Sequence, residues 1–251
     1  MKHLILILLA ALLCTACNTK TSEETELDTS IFEQISDEQI DSLMNQVSLN
    51  NQYSLFWQLR AEVQDDAHNT KSDIPYVTFP GNAELTEAVN TALFLPMMQI
   101  YNAYVDSPAD PANFLTIDAC VYESEEFLGM ACMSVQQGTV QTMPEVISVI
   151  VDLETEKILS PADLLARYDR TADAVLTDAK AIYAAEHPEN TGVVIEEIVT
   201  AYLDADGDRV FVLSYTDTVS DISEGIFFYN DTDNALCTAS EQTQTFASVA
   251  Y

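Results

Sequence analysis

Val146–Leu165 reads VISVIVDLETEKILSPADLL, a stretch that spells out a strand, a turn and the start of a helix. Val146–Leu153 is apolar and largely β-branched on both faces as far as Asp152. That is the pattern of a strand buried on both sides, expected near the middle of a sheet. Glu154–Lys157 supplies the turn. Ser160, Pro161 and Asp163 then stand as N-cap, first helical residue and the acid that reaches back to the cap amide. Apolar residues at helical spacing, from Leu164 and Leu165 through Val175 and Ala179 to Tyr183, predict that this helix runs on to His187-Pro188.

Upstream, Ser36-Asp37-Glu38-Gln39 forms a second capping box, and Ile40, Leu43, Met44 and Val47 follow on one helical face. From Tyr53 to Gln64 apolar and polar residues alternate, the signature of a strand with one buried face that includes Trp57. A lone Trp there is expected to be core. Asp65–Asp73 reads as a polar loop and Ile74–Phe79 as a short extended piece. A helix from Glu84 is expected to kink at Pro96, with Met97–Val105 continuing it or starting another. Phe114–Tyr122 and Leu128–Gln136 read as one hairpin. Downstream, Ile195–Leu203 and Arg209–Tyr215 form a second hairpin around Asp204–Asp208. Gly225–Tyr229, Ala235–Ala239 and Thr243–Val249 are expected as short strands or extended tails. Together these predict an α+β fold, an antiparallel sheet packed by helices.

The charge balance narrows the partners. In 251 residues there are 41 Asp and Glu against 9 Lys and Arg, a net charge of −32, with 48% hydrophobic residues. The apolar content suffices for a folded core. Nucleic acid is excluded, because binding a polyanion requires clustered cations, and an anionic lipid surface is disfavoured. A cationic partner or a divalent cation would be attracted. With 6 Gly, and neither GxGxxG nor GxxxxGK[ST], there is no phosphate-cradling loop.

The N-terminus points to export. Met1-Lys2-His3 and the apolar run Leu4–Leu13 form a signal peptide, too short to span a membrane permanently. Leu13-Cys14-Thr15-Ala16-Cys17 resembles the lipobox of bacterial lipoproteins, which implies lipidation of Cys17 and attachment to a membrane through that lipid. Cys14 stands where that family usually has Leu. The expected division is a signal peptide over 1–16, a lipidated Thr-, Ser- and Glu-rich tether over 17–30, and a single extracytoplasmic α+β domain over 31–251.

Three sets of residues invite chemistry. Cys120 and Cys132 lie almost symmetrically about the first hairpin turn. In an oxidising compartment a disulfide between them, two buried free thiols, or a bond from either to Cys237 all remain open. Asp204, Asp206 and Asp208 resemble a calcium loop, although the spacing is not that of an EF-hand and an Asp-Gly hairpin turn explains it as well. His68 and His187, with Asp65, Asp66 and Glu186 nearby, are the candidates for a hydrolase.

The segment Asp152–Leu159 with its strand and capped helix resembles the "DLxTGKxLxLxDLF" segment of an extracytoplasmic bacterial domain. That domain occurs in lysozyme-sensing anti-sigma factors and beside peptidoglycan deacetylase domains. Ile74-Pro75-Tyr76 and Val89-Asn90 are similar in kind to upstream features of that family, and the resemblance spans roughly Tyr53–Tyr229. Two positions depart: Glu156 replaces the family Gly, and the Gly-Gly-x-His loop is reduced to Gln137-Gly138-Thr139-Val140. The resemblance implies a scaffold without the deacetylase chemistry, which sits in a separate domain. The expected function is a lipid-anchored, non-enzymatic envelope binding module for a cell-wall component or a cationic protein such as lysozyme. The alternatives are an envelope hydrolase and a calcium-stabilised surface protein.

Overall fold

In the computed structural model Ser160 accepts a hydrogen bond from the Asp163 amide, and the Asp163 carboxylate accepts from the Ser160 amide at 2.9 Å. The capping box read from sequence is therefore formed, with Pro161 in the first turn. The structure describes residues 52–64, 69–108, 112–138, 143–219 and 224–247, with the side chains of 56–64, 243–245 and 247 set aside. All belong to one compact unit, Ser42–Tyr251. The expected signal peptide, Cys17, the tether, the Ser36 capping box, Asp65, Asp66 and His68 lie outside the described residues, as does the side chain of Trp57.

The order of elements is β1 (Ser54–Gln64), β2 (Asn69–Thr78), α1 (Ala83–Ala92), α2 (Phe94–Val105), β3 (Phe114–Glu123), β4 (Phe127–Gln137), β5 (Glu145–Asp152), β6 (Lys157–Leu159), α3 (Pro161–Arg167), α4 (Ala172–Glu186), β7 (Val193–Leu203), β8 (Arg209–Asp217), β9 (Glu224–Asn230), β10 (Ala235–Thr238) and α5 (Ala239–Ala247). They form a six-stranded sheet, β1-β2-β3-β4-β5-β6, and a four-stranded sheet, β10-β9-β8-β7. All pairs are antiparallel except β2 with β3. The fold is α+β, two mostly antiparallel sheets packed by helices. Among the described residues no helix is long and apolar enough to cross a membrane.

The parallel pair explains α1 and α2, since parallel neighbours need a crossover connection. β2 meets β3 only over Asn69–Ser72. Beyond that point Asn90 of α1 takes up the freed backbone of β2, its amide oxygen accepting from Val77 N and its amide nitrogen donating to Val77 O. Asp65–Asp73 is thus not all loop: its second half pairs on both sides as the start of β2. Pro96 falls in the first turn of α2, and the chain breaks just before it, at Leu93. There its missing amide is harmless.

Strand alternation divides the core. On β4, Phe127, Ala131 and Met133 face the second sheet's clusters, while Leu128, Met130 and Cys132 are buried on the face covered by α1 and α2. One cluster joins Phe127, Ile150, Leu164 and Leu165 to Phe211, Leu213 and Phe227. Another joins Cys120, Met133 and Val146 to Tyr202, Val212 and Phe228, closed by Phe246 of α5. Each fully buried Leu or Phe contributes roughly 1.5–3 kcal/mol of transfer free energy.

Three expectations are corrected. β5 is the fifth of six strands and has only the three-residue β6 outside it; its two buried faces come from α1 and the second sheet, not from a central place. The helix after Pro161 is two helices. Asp169 takes a left-handed φ of 53° and Thr171 caps α4 through the Ala174 amide, so the periodicity of Leu164–Tyr183 crosses a corner. The segment from Ala239 to Ala247 is helix α5. Its helical register seats Gln242 and Phe246 on the second sheet, where Gln242 donates to the Tyr202 hydroxyl at 2.8 Å.

Candidate functional site

The Asp152–Leu159 segment is a structural joint. The Asp152 carboxylate accepts from the amides of Glu154 and Thr155 at 3.1 and 2.9 Å and from Arg167 of α3. The Arg167 guanidinium lies over the Phe127 ring, 4.6 Å from its centroid. Glu156 has φ of 52°, a left-handed conformation in which glycine is unstrained, and its carboxylate accepts from Asn82 at 2.7 Å. Ser148, the polar residue on β5's inner face, shares a 2.7 Å hydrogen bond with Thr200 and donates to the Ala201 carbonyl at 2.8 Å. β5 thereby holds the C-terminal half of β7.

The cysteine pairing read from hairpin symmetry does not form. In the β3–β4 register Cys120 stands opposite Ala131, and Cys132 opposite Ala119. Residues directly opposite share a face and neighbours alternate, so Cys120 and Cys132 point to opposite sides of the sheet. All three described cysteines are free thiols. Burial pushes the Cys120 thiol up to about 12, with Asp204 adding to it, and raises Cys132 as well. Cys237 is pushed to about 11 by burial and Glu241, and donates to Gln242.

The acidic turn is occupied by its own backbone. One Asp204 carboxylate oxygen accepts from the amides of Asp206 and Asp208 at 3.0 and 2.9 Å, and Gly207 takes φ of 85°. The Asp208 carboxylate accepts from Asn230 at 3.3 Å. Asp204, Asp206 and Asp208 are thus arranged as a side-chain-closed hairpin turn. Among the described residues no group of three or more His, Cys, Asp or Glu is gathered as a metal cage.

His187 caps the end of α4, its ring 4.6 Å from that of Tyr183. Both line a groove of about 220 Å³ between α4 and β7, with Lys180 and Asn190 at its rim and Val193 and Ile195 at its floor. Burial raises the Tyr183 hydroxyl, helped by Asp217 and Tyr215, so it remains a neutral donor at physiological pH. Glu241 is within electrostatic reach of His187, yet its carboxylate is held below the usual range by the Thr238 amide and hydroxyl. The groove can offer hydrogen bonds around an apolar floor. It brings no carboxylate pair to His187 among the described residues.

The feature that residue-by-residue reading missed is how the cations are used. Arg167 pairs with Asp152, and Lys71 with Asp118 at 3.5 Å. Arg170 bridges Asp178 and Asp231 at 2.7 and 2.8 Å, and Arg209 pairs with the same Asp231 at 3.1 Å while lying over Tyr168. Four of the nine Lys and Arg are therefore paired with buried carboxylates, at three joints between elements, although Lys71 itself stays half exposed. What remains outside is a surface dominated by carboxylates. Compared with known proteins, the chain matches no family model, and no curated protein matches it in sequence.

Proposed function

We propose that this chain is a lipid-anchored binding module of the bacterial cell envelope that holds a cationic protein, lysozyme being the chemical type, or a cationic cell-wall component. The observation that carries the reading is the disposition of charge: a net −32, with Arg167, Arg170, Arg209 and Lys71 already turned to internal acids. Such a surface steers a basic partner into contact and makes the complex sensitive to salt, since exposed charges are screened over about 8 Å at physiological ionic strength. The lipobox-like Leu13–Cys17 and the resemblance around Asp152–Leu159 support the location and the non-enzymatic role. Cleavage before Cys17 removes Lys2 and no acid, which moves the charge from −32 to −33.

The deciding experiment immobilises the protein and offers it lysozyme at low salt, with lysozyme whose lysines have been succinylated as the control. Capture of the native form alone, and its release by salt, is the expected result. Equal retention of both forms, or of neither, ends the cationic-protein reading. For the anchor, Cys17→Ser is expected to move the protein from the membrane fraction to the soluble one; a wild-type protein already in the soluble fraction would contradict lipidation.

A further inference from the structure

β7 is the long outer strand of the four-stranded sheet; α4 packs against its N-terminal half, where Val193 and Ile195 line the groove between them. Its C-terminal half lies on β5 through Ser148. Its N-terminal half, Val193–Val199, has β8 on one side and, among the described residues, no strand on the other. The Thr218 amide donates to the Gly192 carbonyl. By antiparallel alternation Val194 then also bonds to β8, and the backbone groups of Val193 and Ile195 face outward. Register shifts between Ile195 and Ile198 and again before Thr200 break the side-chain alternation. As a result Glu196 and Glu197 are both exposed, between Val194 and Val199 at 51% and 53% exposure.

Bulges and charges are the means by which a sheet edge resists pairing with a copy of itself. A second copy would set these glutamates against acids of its own, on molecules of net charge −32. An extended cationic segment meets the opposite situation. Its main chain can bond the outward groups of Val193 and Ile195, ahead of the bulges, its apolar residues can cover Val194 and Val199, and its cations can sit against Glu197 and against Glu196, whose carboxylate also accepts from the Thr216 hydroxyl at 3.1 Å.

We propose that the Val193–Val199 edge of β7 is the docking strand of this protein, taking an extended segment of alternating basic and apolar residues as a fifth strand of the sheet. The inference rests on the reading of the chain as a binder of a cationic protein and adds where that partner is held and by what geometry.

The test uses the full chain in neutral detergent and a short fluorescent peptide of alternating Lys and Val. Binding is expected to be salt-sensitive and weakened about tenfold or more by Glu196→Lys with Glu197→Lys, and far less by Glu84→Lys with Glu87→Lys on α1. The same peptide N-methylated at alternate residues keeps its charge but loses its main-chain donors, and is expected not to bind the wild-type protein. Equal binding of the N-methylated peptide, or equal weakening by the α1 reversal, would overturn strand addition at β7. Lysozyme captured by the wild type and equally by the β7 reversal would also overturn it, while leaving the cationic-partner reading intact. Failure of the wild type to capture lysozyme strikes that broader reading instead.

Discussion

The carboxylate of Asp152, at the end of β5, holds the guanidinium of Arg167, in the last turn of α3, across the corner that joins the two elements. Burial acts to raise the Asp152 carboxyl, but the Thr155 amide and Arg167 outweigh it, and the group lies below the usual carboxylate range. The same carboxylate closes the turn, so a single side chain fixes both the chain reversal and the position of the following helix.

Asp152→Asn is therefore expected to lower stability by about 1.5–3 kcal/mol, the range for hydrogen bonds to a charged partner. The sign of its pH dependence follows from the depressed folded value. The contribution is fully present above the unfolded Asp pKa of about 3.9 and is lost as pH falls through the lower folded value. Urea midpoints should show a gap between wild type and variant that is constant at neutral pH and closes in acid. A gap unchanged throughout the acid range would remove the carboxylate as its source.

Glu156 holds a left-handed φ of 52° where the resembled segment carries Gly. Glu156→Gly relieves the Cβ clash and forfeits an exposed hydrogen bond from Asn82. The net expectation is a gain of about 0.5–1 kcal/mol, measured by thermal or urea unfolding. Destabilisation would mean that the Asn82 contact outweighs the backbone strain.

At Gly207, φ is 85° and an added Cβ would come within 2.6 Å of the Tyr122 ring. Gly207→Ala should destabilise by about 1–2 kcal/mol, through backbone strain and displacement of Tyr122. Because Asp204 already accepts from two amides of its own loop, millimolar calcium is expected to leave the melting temperature of the wild type unchanged. A clear rise would show that the three aspartates rearrange around an ion.

Buried Cys120 and Cys132 and the half-buried Cys237 are expected to be reduced and shielded. Alkylation of native protein followed by peptide mapping should leave Cys120 and Cys132 unlabelled and Cys237 slow, since the thiolate is the reactive form and all three thiols are pushed up. Unfolding without reductant should expose all three. A disulfide between any two would leave at most one of them labelled.

Local signals in the sequence were enough wherever a short-range rule governs. The Ser160–Asp163 capping box, the β3–β4 and β7–β8 hairpins and the strand at Val146 need only neighbours within a few residues. Sequence alone also set the acidity, a net charge of −32. The tertiary structure decided what depends on register and on distant partners. Hairpin symmetry suggests that Cys120 faces Cys132, yet a shift of one residue reverses a side chain's face, and only the pairing with Ala131 and Ala119 resolves it. The periodicity of Leu164–Tyr183 is the same for one helix as for two that bury their apolar faces in one core; the corner at Asp169 is held by ion pairs from Arg170 to Asp178 and the distant Asp231. The edge at β7 was invisible for the same reason. Whether a strand is paired on both sides depends on which others arrive beside it, and that is settled by the packing of β5 against Thr200 and Ala201.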